Sequence, residues 1–462
     1  MRDFTTGNEA NHILRFTLPM LLGNVFQQLY NIVDSVIVGK YLGDTALAAV
    51  GASFPIIFAV ISLIIGIGIG SSVVISQYFG AKDLEKVRRA SDTVYIFLMA
   101  SGIVLSVAGV LCSRWIFQML QLPDELMDQA TTYLNVYLVG LVVMFGFNGT
   151  SAILRGIGDS KTPLYFLIVA TIANIGLDLL FILVFKWGIA GAAWATVISQ
   201  AGAFVAAILY LNRHHHLIKF EPRKLVFDRD IFKQSVRIGL PTGIQQTFVA
   251  MGAMALMGIV NTFGTSVIAG FTAASRIDNL AALPAMNFSA ALSSFVGQNV
   301  GANKISRIYK GLRATLLMSI GVSILISVIA ILWGDNIVGL FSNSPDVRAI
   351  GHRYLIIVCL FYGLFSVMFT LNGLLRGAGD TLIPMFITLF SLWVVRIPLA
   401  YLLSKIWGMG EVGIWWAIPI AWAFGALGAF LYFRRGNWKT KGIIMRPMVE
   451  PLEGESIPVT MD

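Results

Sequence analysis

The chain has 462 residues, 57% hydrophobic and only 12% charged, with a formal net charge of +9. A soluble domain carries about 25% charged residues, so this chain cannot clothe a water-facing surface, and it is too long to hide its apolar residues in one core. A bilayer solvates such a sequence, and its long continuous apolar runs, such as Ile96–Leu111, exclude the short alternating strands of a barrel.

Apolar runs set against turn and charge clusters predict twelve transmembrane helices. The first six are 13–38, 47–77, 91–113, 130–152, 162–185 and 188–212; the second six are 236–260, 267–298, 314–333, 349–373, 382–404 and 412–433. Residues 1–12 are polar and carry no cleavable signal pattern, so span 1 is expected to remain in the membrane. Cys112 and Cys359 both sit in apolar runs and read as packing residues. The segment Lys82–Arg89 reads as a solvated amphipathic turn, and His214–His216 as part of a solvated linker.

Basic residues orient the chain. Twenty-five lie at the set of span ends shared with the termini, six at the opposite ends, and two, Arg276 and Arg396, inside spans. The positive-inside bias therefore predicts both termini in the cytoplasm of a multi-pass protein of the plasma (inner) membrane. The excess charge belongs to these loops and implies no nucleic-acid partner.

The chain is a duplication. Leu154-Arg-Gly-Ile-Gly-Asp159 recurs as Leu375-Arg-Gly-Ala-Gly-Asp380, Gln77, Gly80 and Ala81 recur as Gln298, Gly301 and Ala302, and Leu18-Pro19 recurs as Leu240-Pro241. One offset, within a residue, joins all of these. Six spans per repeat is an even number, so the halves share one orientation and relate by a pseudo-two-fold axis along the membrane normal, as alternating-access transporters do. The expected organisation is an N-terminal lobe 1–212, a basic cytoplasmic linker 213–235, a C-terminal lobe 236–435 and a cytoplasmic tail 436–462.

Ionisable residues inside spans cost about 2.5–3.5 kcal/mol on insertion scales and are functional candidates by default. Here they are Asp34, Asp178, Arg276, Asp278 and Arg396. At 1.5 Å per residue, Asp34 lies roughly 6 Å and Asp178 roughly 10 Å from the outer ends of their spans. Asn174 shares a helix face with Asp178, and Thr196, Tyr133 and Tyr137 fall at the same level. Such a set suits either Na⁺, through oxygen ligands, or a shared proton. The repeat images of the two acids are apolar, near Leu256 and Leu399, so any ion site belongs to the first lobe. Arg276, Asp278 and Arg396 read as structural pairings with neighbouring helices. Met251, Met254, Met257 and Met286 form a Met-rich stripe that suits promiscuous apolar ligands or ordinary packing. No Walker A sequence, catalytic triad, zinc spacing or dinucleotide fingerprint stands out, so the chain reads as a non-enzyme without cofactor.

With the run Gln27-Gln28-Leu-Tyr30-Asn31-Ile-Val-Asp34, the segment Gln77-Tyr-Phe-Gly80-Ala81 and the two Leu-Arg-Gly-x-Gly-Asp loops, the sequence resembles the multidrug and toxic compound extrusion (MATE) family over about residues 10–435. The resemblance implies export of cationic or amphipathic compounds in exchange for H⁺ or Na⁺; a two-lobed transporter can work as a monomer, which is the expected state. It implies a cation-coupling site at Asp34, Asn174, Asp178, Tyr133 and Thr196. The candidate substrate cavity takes in Gln27, Tyr30, Asn31 and Tyr137, with Arg276, Arg396 and the four methionines of the second lobe. Spans 7 and 10 contain no acid, which resembles the DinF-like branch more than the NorM-like one. A major-facilitator antiporter would carry an Asp-Arg/Lys-x-Gly-Arg loop that Gly80–Ala90 lacks. A lipid-linked oligosaccharide flippase of the related superfamily would favour a cationic cavity, for which Arg276 and Arg396 are the only material.

Overall fold

The computed structural model describes residues 2–215 and 218–444; His216, Arg446 and the expected tail beyond residue 444 lie outside the described residues. Every regular element among those described is helical. The first half comprises α1 (Glu9–Leu42), α2 (Asp44–Gly80), α3 (Leu84–Met119), α4 (Asp124–Val139), α5 (Leu141–Gly156), α6 (Lys161–Leu179) and α7 (Gly188–His214). The second comprises α8 (Arg229–Val260), α9 (Thr265–Gly301), α10 (Ile305–Gly339), α11 (Pro345–Cys359), α12 (Tyr362–Gly377), α13 (Leu382–Leu389), α14 (Ile397–Tyr401) and α15 (Glu411–Arg435).

Nine helices among the described residues are long and apolar enough to cross a membrane, or eleven when the pairs α4–α5 and α11–α12, bent by 49° and 51°, each count as one span. The twelfth is α1, 34 residues long, whose apolar run is broken by Asn24, Gln27, Gln28, Asn31 and Asp34. The chain is thus an all-α polytopic membrane protein of two six-helix lobes. Leu111, Leu340 and Leu317 stand exposed on its outside, where lipid would solvate them.

Several helices overrun the predicted limits. The Asp83 side chain accepts from Lys86 N at 3.1 Å and starts α3 at Leu84, so Lys82–Arg89 holds the opening turns of a helix, which corrects the reading of a simple surface turn. Asp228 likewise accepts from Asp230 N and Ile231 N at 3.0 and 3.1 Å, and α8 begins at Arg229, inside the segment expected as linker. π-helical turns occupy Leu180–Val184, Phe390–Arg396 and Leu402–Ile406. The first and last stand at the repeat spacing, so the duplication extends to helix irregularities. The first directly follows Asp178 and its neighbour Leu179.

Each lobe has its own apolar core. The first gathers Ile37, Val74, Tyr95, Phe145 and Ile153; the second gathers Leu256, Tyr354, Trp415 and Ile418. A third joins Phe4, Ile13 and Phe16 to Phe288, Phe295 and Leu374, tying the N-terminus and the first turns of α1 to the second lobe.

The lobes meet where α2 lies along α8. Gly66 and Gly70 face Gly243, Gly239 and Ser235 so closely that a Cβ on either would strike backbone atoms. Further along, Ser62 and Thr247 share a hydrogen bond at 3.0 Å. At the terminus-bearing end the repeat-related glutamines exchange lobes. Gln77 donates to the carbonyl of Gly377 at 3.0 Å, and Gln298 donates to the carbonyl of Gly156 at 3.3 Å. Towards the other end Phe54, which lines a cavity, and Met251 and Met254 are exposed.

Candidate functional site

The first lobe carries its polar residues at helical spacing. On α1, Gln27, Tyr30, Asn31 and Asp34 recur at i, i+3, i+4 and i+7, one face of the helix. This stripe faces a cavity of about 440 Å³, also lined by Tyr133, Tyr137, Phe54, Ile57, Thr196 and Gln200. On α6, Thr171, Asn174 and Asp178 form a second buried stripe behind it.

The two stripes converge on a pair of carboxyls. Asp34 and Asp178 lie within hydrogen-bonding reach of each other, and both are buried, at 8% and 0% exposure. Turned so that both ends are satisfied, the Asn174 amide donates to Asp178 Oδ2 at 3.0 Å and accepts from Thr196 N at 3.2 Å. Tyr30 and Thr196 share a hydrogen bond at 2.8 Å between their hydroxyls. Tyr133 is buried, with its ring 6.4 Å from that of Tyr137. One oxygen of each acid, Asp34 Oδ1 and Asp178 Oδ1, has no protein partner. Two facing carboxylates repel, and a proton or a hard cation between their oxygens would relieve that repulsion. Asn174 and Asp178 form the inner wall of this arrangement, and Asp34, Tyr133 and Thr196 reach the cavity surface. The five residues singled out in the sequence are therefore gathered in one place.

The remaining candidates divide. Gln27, Tyr30, Asn31 and Tyr137 line the same cavity. Met251, Met254 and Met286 are exposed and Met257 partly buried on the second lobe, and the first-lobe cavity does not include them. Arg276 is exposed. Asp278 accepts from Tyr354 at 3.2 Å and from Tyr362, while Arg396 is partly buried with its Nε unpartnered. Sequence reading missed the two tyrosines, although one signal was available: Tyr354 is the repeat image of Tyr133. It also missed Asn24, Asn148 and Arg155, which line a smaller chamber adjoining the main cavity. The ring of His214 lies 4.4 Å from that of Tyr210, with Nδ1 3.1 Å from the Tyr210 carbonyl. Cys112 is exposed and Cys359 buried, both free.

The model of the MatE family matches the chain twice, over residues 19–180 and 241–402, at the spacing of the internal repeat. The chain is 35% identical over 438 residues to the probable multidrug resistance protein YpnP of Bacillus subtilis, with 95% of this chain and 97% of the relative covered. It is 26% identical over 449 residues to the probable multidrug resistance protein NorM of Thermotoga maritima, covering 95% of each. Among solved structures it superposes with a TM-score of 0.88 and 25% identity on an outward-facing multidrug resistance MATE family transporter of the MOP superfamily, covering 94% of this chain and 97% of that one.

Proposed function

This chain belongs to the MatE family, and from that premise we propose that it is a secondary antiporter, exporting cationic or amphipathic small molecules in exchange for H⁺ or Na⁺. The observation that carries the reading is the facing pair Asp34 and Asp178, each with an unpartnered oxygen, at the edge of a cavity of about 440 Å³. It works at the inner membrane as a monomer with both termini in the cytoplasm, since the terminus-bearing end holds most of the basic residues. The acid-free spans 7 and 10 support the DinF-like branch over the NorM-like one in this reading.

In this reading the end where Gln77 and Gln298 cross between the lobes is the cytoplasmic one, and the cavity opens outward. A cationic substrate held near the carboxylates is released when a proton or Na⁺ takes its place. Two unit charges 4 Å apart are worth about 4 kcal/mol at an effective dielectric of about 20. Neutralising the pair therefore weakens a bound cation by up to about a thousandfold. Asn174 and Thr196 hold Asp178 in position, and Tyr30 ties α1 to α7 through Thr196.

Ethidium efflux from cells expressing wild type, Asp34→Asn or Asp178→Asn, under imposed H⁺ or Na⁺ gradients, tests this. Wild type is expected to export dye and both variants to lose export at equal expression; the gradient required names the ion. Export that survives both substitutions removes the coupling assignment. Wild type that moves no dye under any gradient removes the exporter reading and favours a flippase.

A further inference from the structure

Below the main cavity lies a second chamber of about 170 Å³ that shares Asn24, Gln27, Phe147 and Asn148 with it. Its inner wall carries Arg155, partly buried in the last turn of α5. Among the described residues the guanidinium makes no hydrogen bond and no ion pair, and no acid lines the chamber. An arginine has five donors in a planar fork, and here the fork borders the chamber without a protein partner. The other polar groups on these walls are neutral, Asn24, Gln27, Asn148, Ser151, Ser160 and Asn287; the Asn24 amide donates to Asn287 Oδ1 at 2.9 Å, and those of Asn148 and Asn287 donate to the carbonyls of Met144 and Leu283. The joined space is thus bipolar. Along α1, ten residues separate Asn24, beside the lower chamber, from Asp34 above, a rise of about 15 Å.

The second lobe provides an internal comparison. The repeat image of Asn148 is Phe369, which stacks on Phe365 with ring centroids 4.2 Å apart. The image of Ser151 is Asn372, whose amide donates to Thr388 at 3.4 Å. The image of Arg155 itself, Arg376, is likewise unpaired among the described residues; aromatic packing and an internal hydrogen bond stand there at positions that in the first lobe border open space.

We propose that Arg155 is the receptor for an anionic group, a carboxylate or phosphate, on amphiphiles whose cationic end lies toward Asp34 and Asp178; this rests on the exporter reading above. The fork of Arg155 matches two oxygens of such a group, and the hydroxyls of Ser151 and Ser160 stand on the same walls as further donors. The protein then favours zwitterionic substrates over purely cationic ones of the same shape.

The test is binding of a rhodamine bearing a free benzoate and of its methyl ester, by fluorescence polarisation, to purified full-length protein in phosphatidylcholine nanodiscs. Wild type is expected to prefer the acid by about tenfold, the order of one charge-assisted hydrogen bond. Arg155→Gln is expected to reduce the acid-to-ester ratio to near one, and Arg155→Lys to keep part of it. Because the readout is a ratio within each variant, a change in folded fraction does not move it. An equal ratio in wild type and Arg155→Gln overturns the proposal. So does loss of the wild-type preference when phosphatidylglycerol is added, since a lipid headgroup is then the occupant. Wild type that binds the ester without preferring the acid overturns this proposal alone; wild type that binds neither dye overturns the exporter reading and this one with it.

Discussion

Replacing both exchanged glutamines, as Gln77→Ala with Gln298→Ala, removes two hydrogen bonds that cross between the lobes and two that tie the N-terminus and the C-terminal segment to that end. Gln77 donates to Gly377 O at 3.0 Å and accepts from Ile443 N at 2.8 Å. Gln298 donates to Gly156 O at 3.3 Å and accepts from Phe4 N at 2.9 Å. Both side chains are fully buried, at 0% exposure. At about 1 kcal/mol net for each bond, the closed terminus-bearing end loses about 4 kcal/mol. Water entering the parted end satisfies some of the orphaned groups, so the population ratio is expected to move by about 10- to 100-fold rather than the full amount. Spin labels at Lys86→Cys and Lys310→Cys, both exposed positions near that end, report it by double electron–electron resonance in a background lacking the exposed Cys112. The expected result is a new long-distance population in the double variant. A distance distribution identical to wild type, in protein that remains folded, would refute the claim that these bonds hold the end closed.

Gly70→Leu places side-chain atoms against the backbone of Ser235 and Gly239. It is expected to cost about 1–3 kcal/mol in the closed arrangement, read as the same spectroscopic shift with efflux slowed. Arg307→Ala removes donors to the carbonyls of Phe4, Thr6 and Gly7 at 3.2, 3.2 and 2.9 Å, and an ion pair with Glu9 at 3.0 Å. Amide exchange over residues 4–7 should accelerate by tenfold or more, and unchanged protection would show the segment to be held by Phe4 packing alone. The Asp3 carboxyl is raised by partial burial, but hydrogen bonds from Lys82 and Thr5 outweigh this and hold it at about 2, below its ordinary 3.8. A depressed acid contributes its tethering above the ordinary value and loses it as pH falls through about 2. The difference in N-terminal exchange between wild type and Asp3→Asn should therefore be flat from about pH 9 to pH 5 and vanish on approach to pH 2. A difference that changes across neutral pH would contradict that assignment.

Hydropathy, loop charge and self-similarity determined, without coordinates, that this chain is a duplicated helical membrane protein. Those signals are local or periodic: a span needs about 20 apolar residues in sequence, and a repeat is visible wherever residue types recur. The polar face of α1 and the Asn174–Asp178 pair were legible for the same reason, since helical spacing puts them on one side of one helix. How each helix rotates about its axis, and where the lobes touch, depends on packing between segments far apart in the chain. Gln77 and Gln298 were recognisable as repeat partners, but their reach into each other's lobe follows from the close approach of α2 and α9 at Gly80 and Gly301. Asp278 was visible as an acid inside a span, yet its partners Tyr354 and Tyr362 come from a different bent pair of helices. Arg155 read as one more basic residue at a span end; only the tertiary arrangement gave it a chamber without an acid, because cavities are set by which side chains fail to meet.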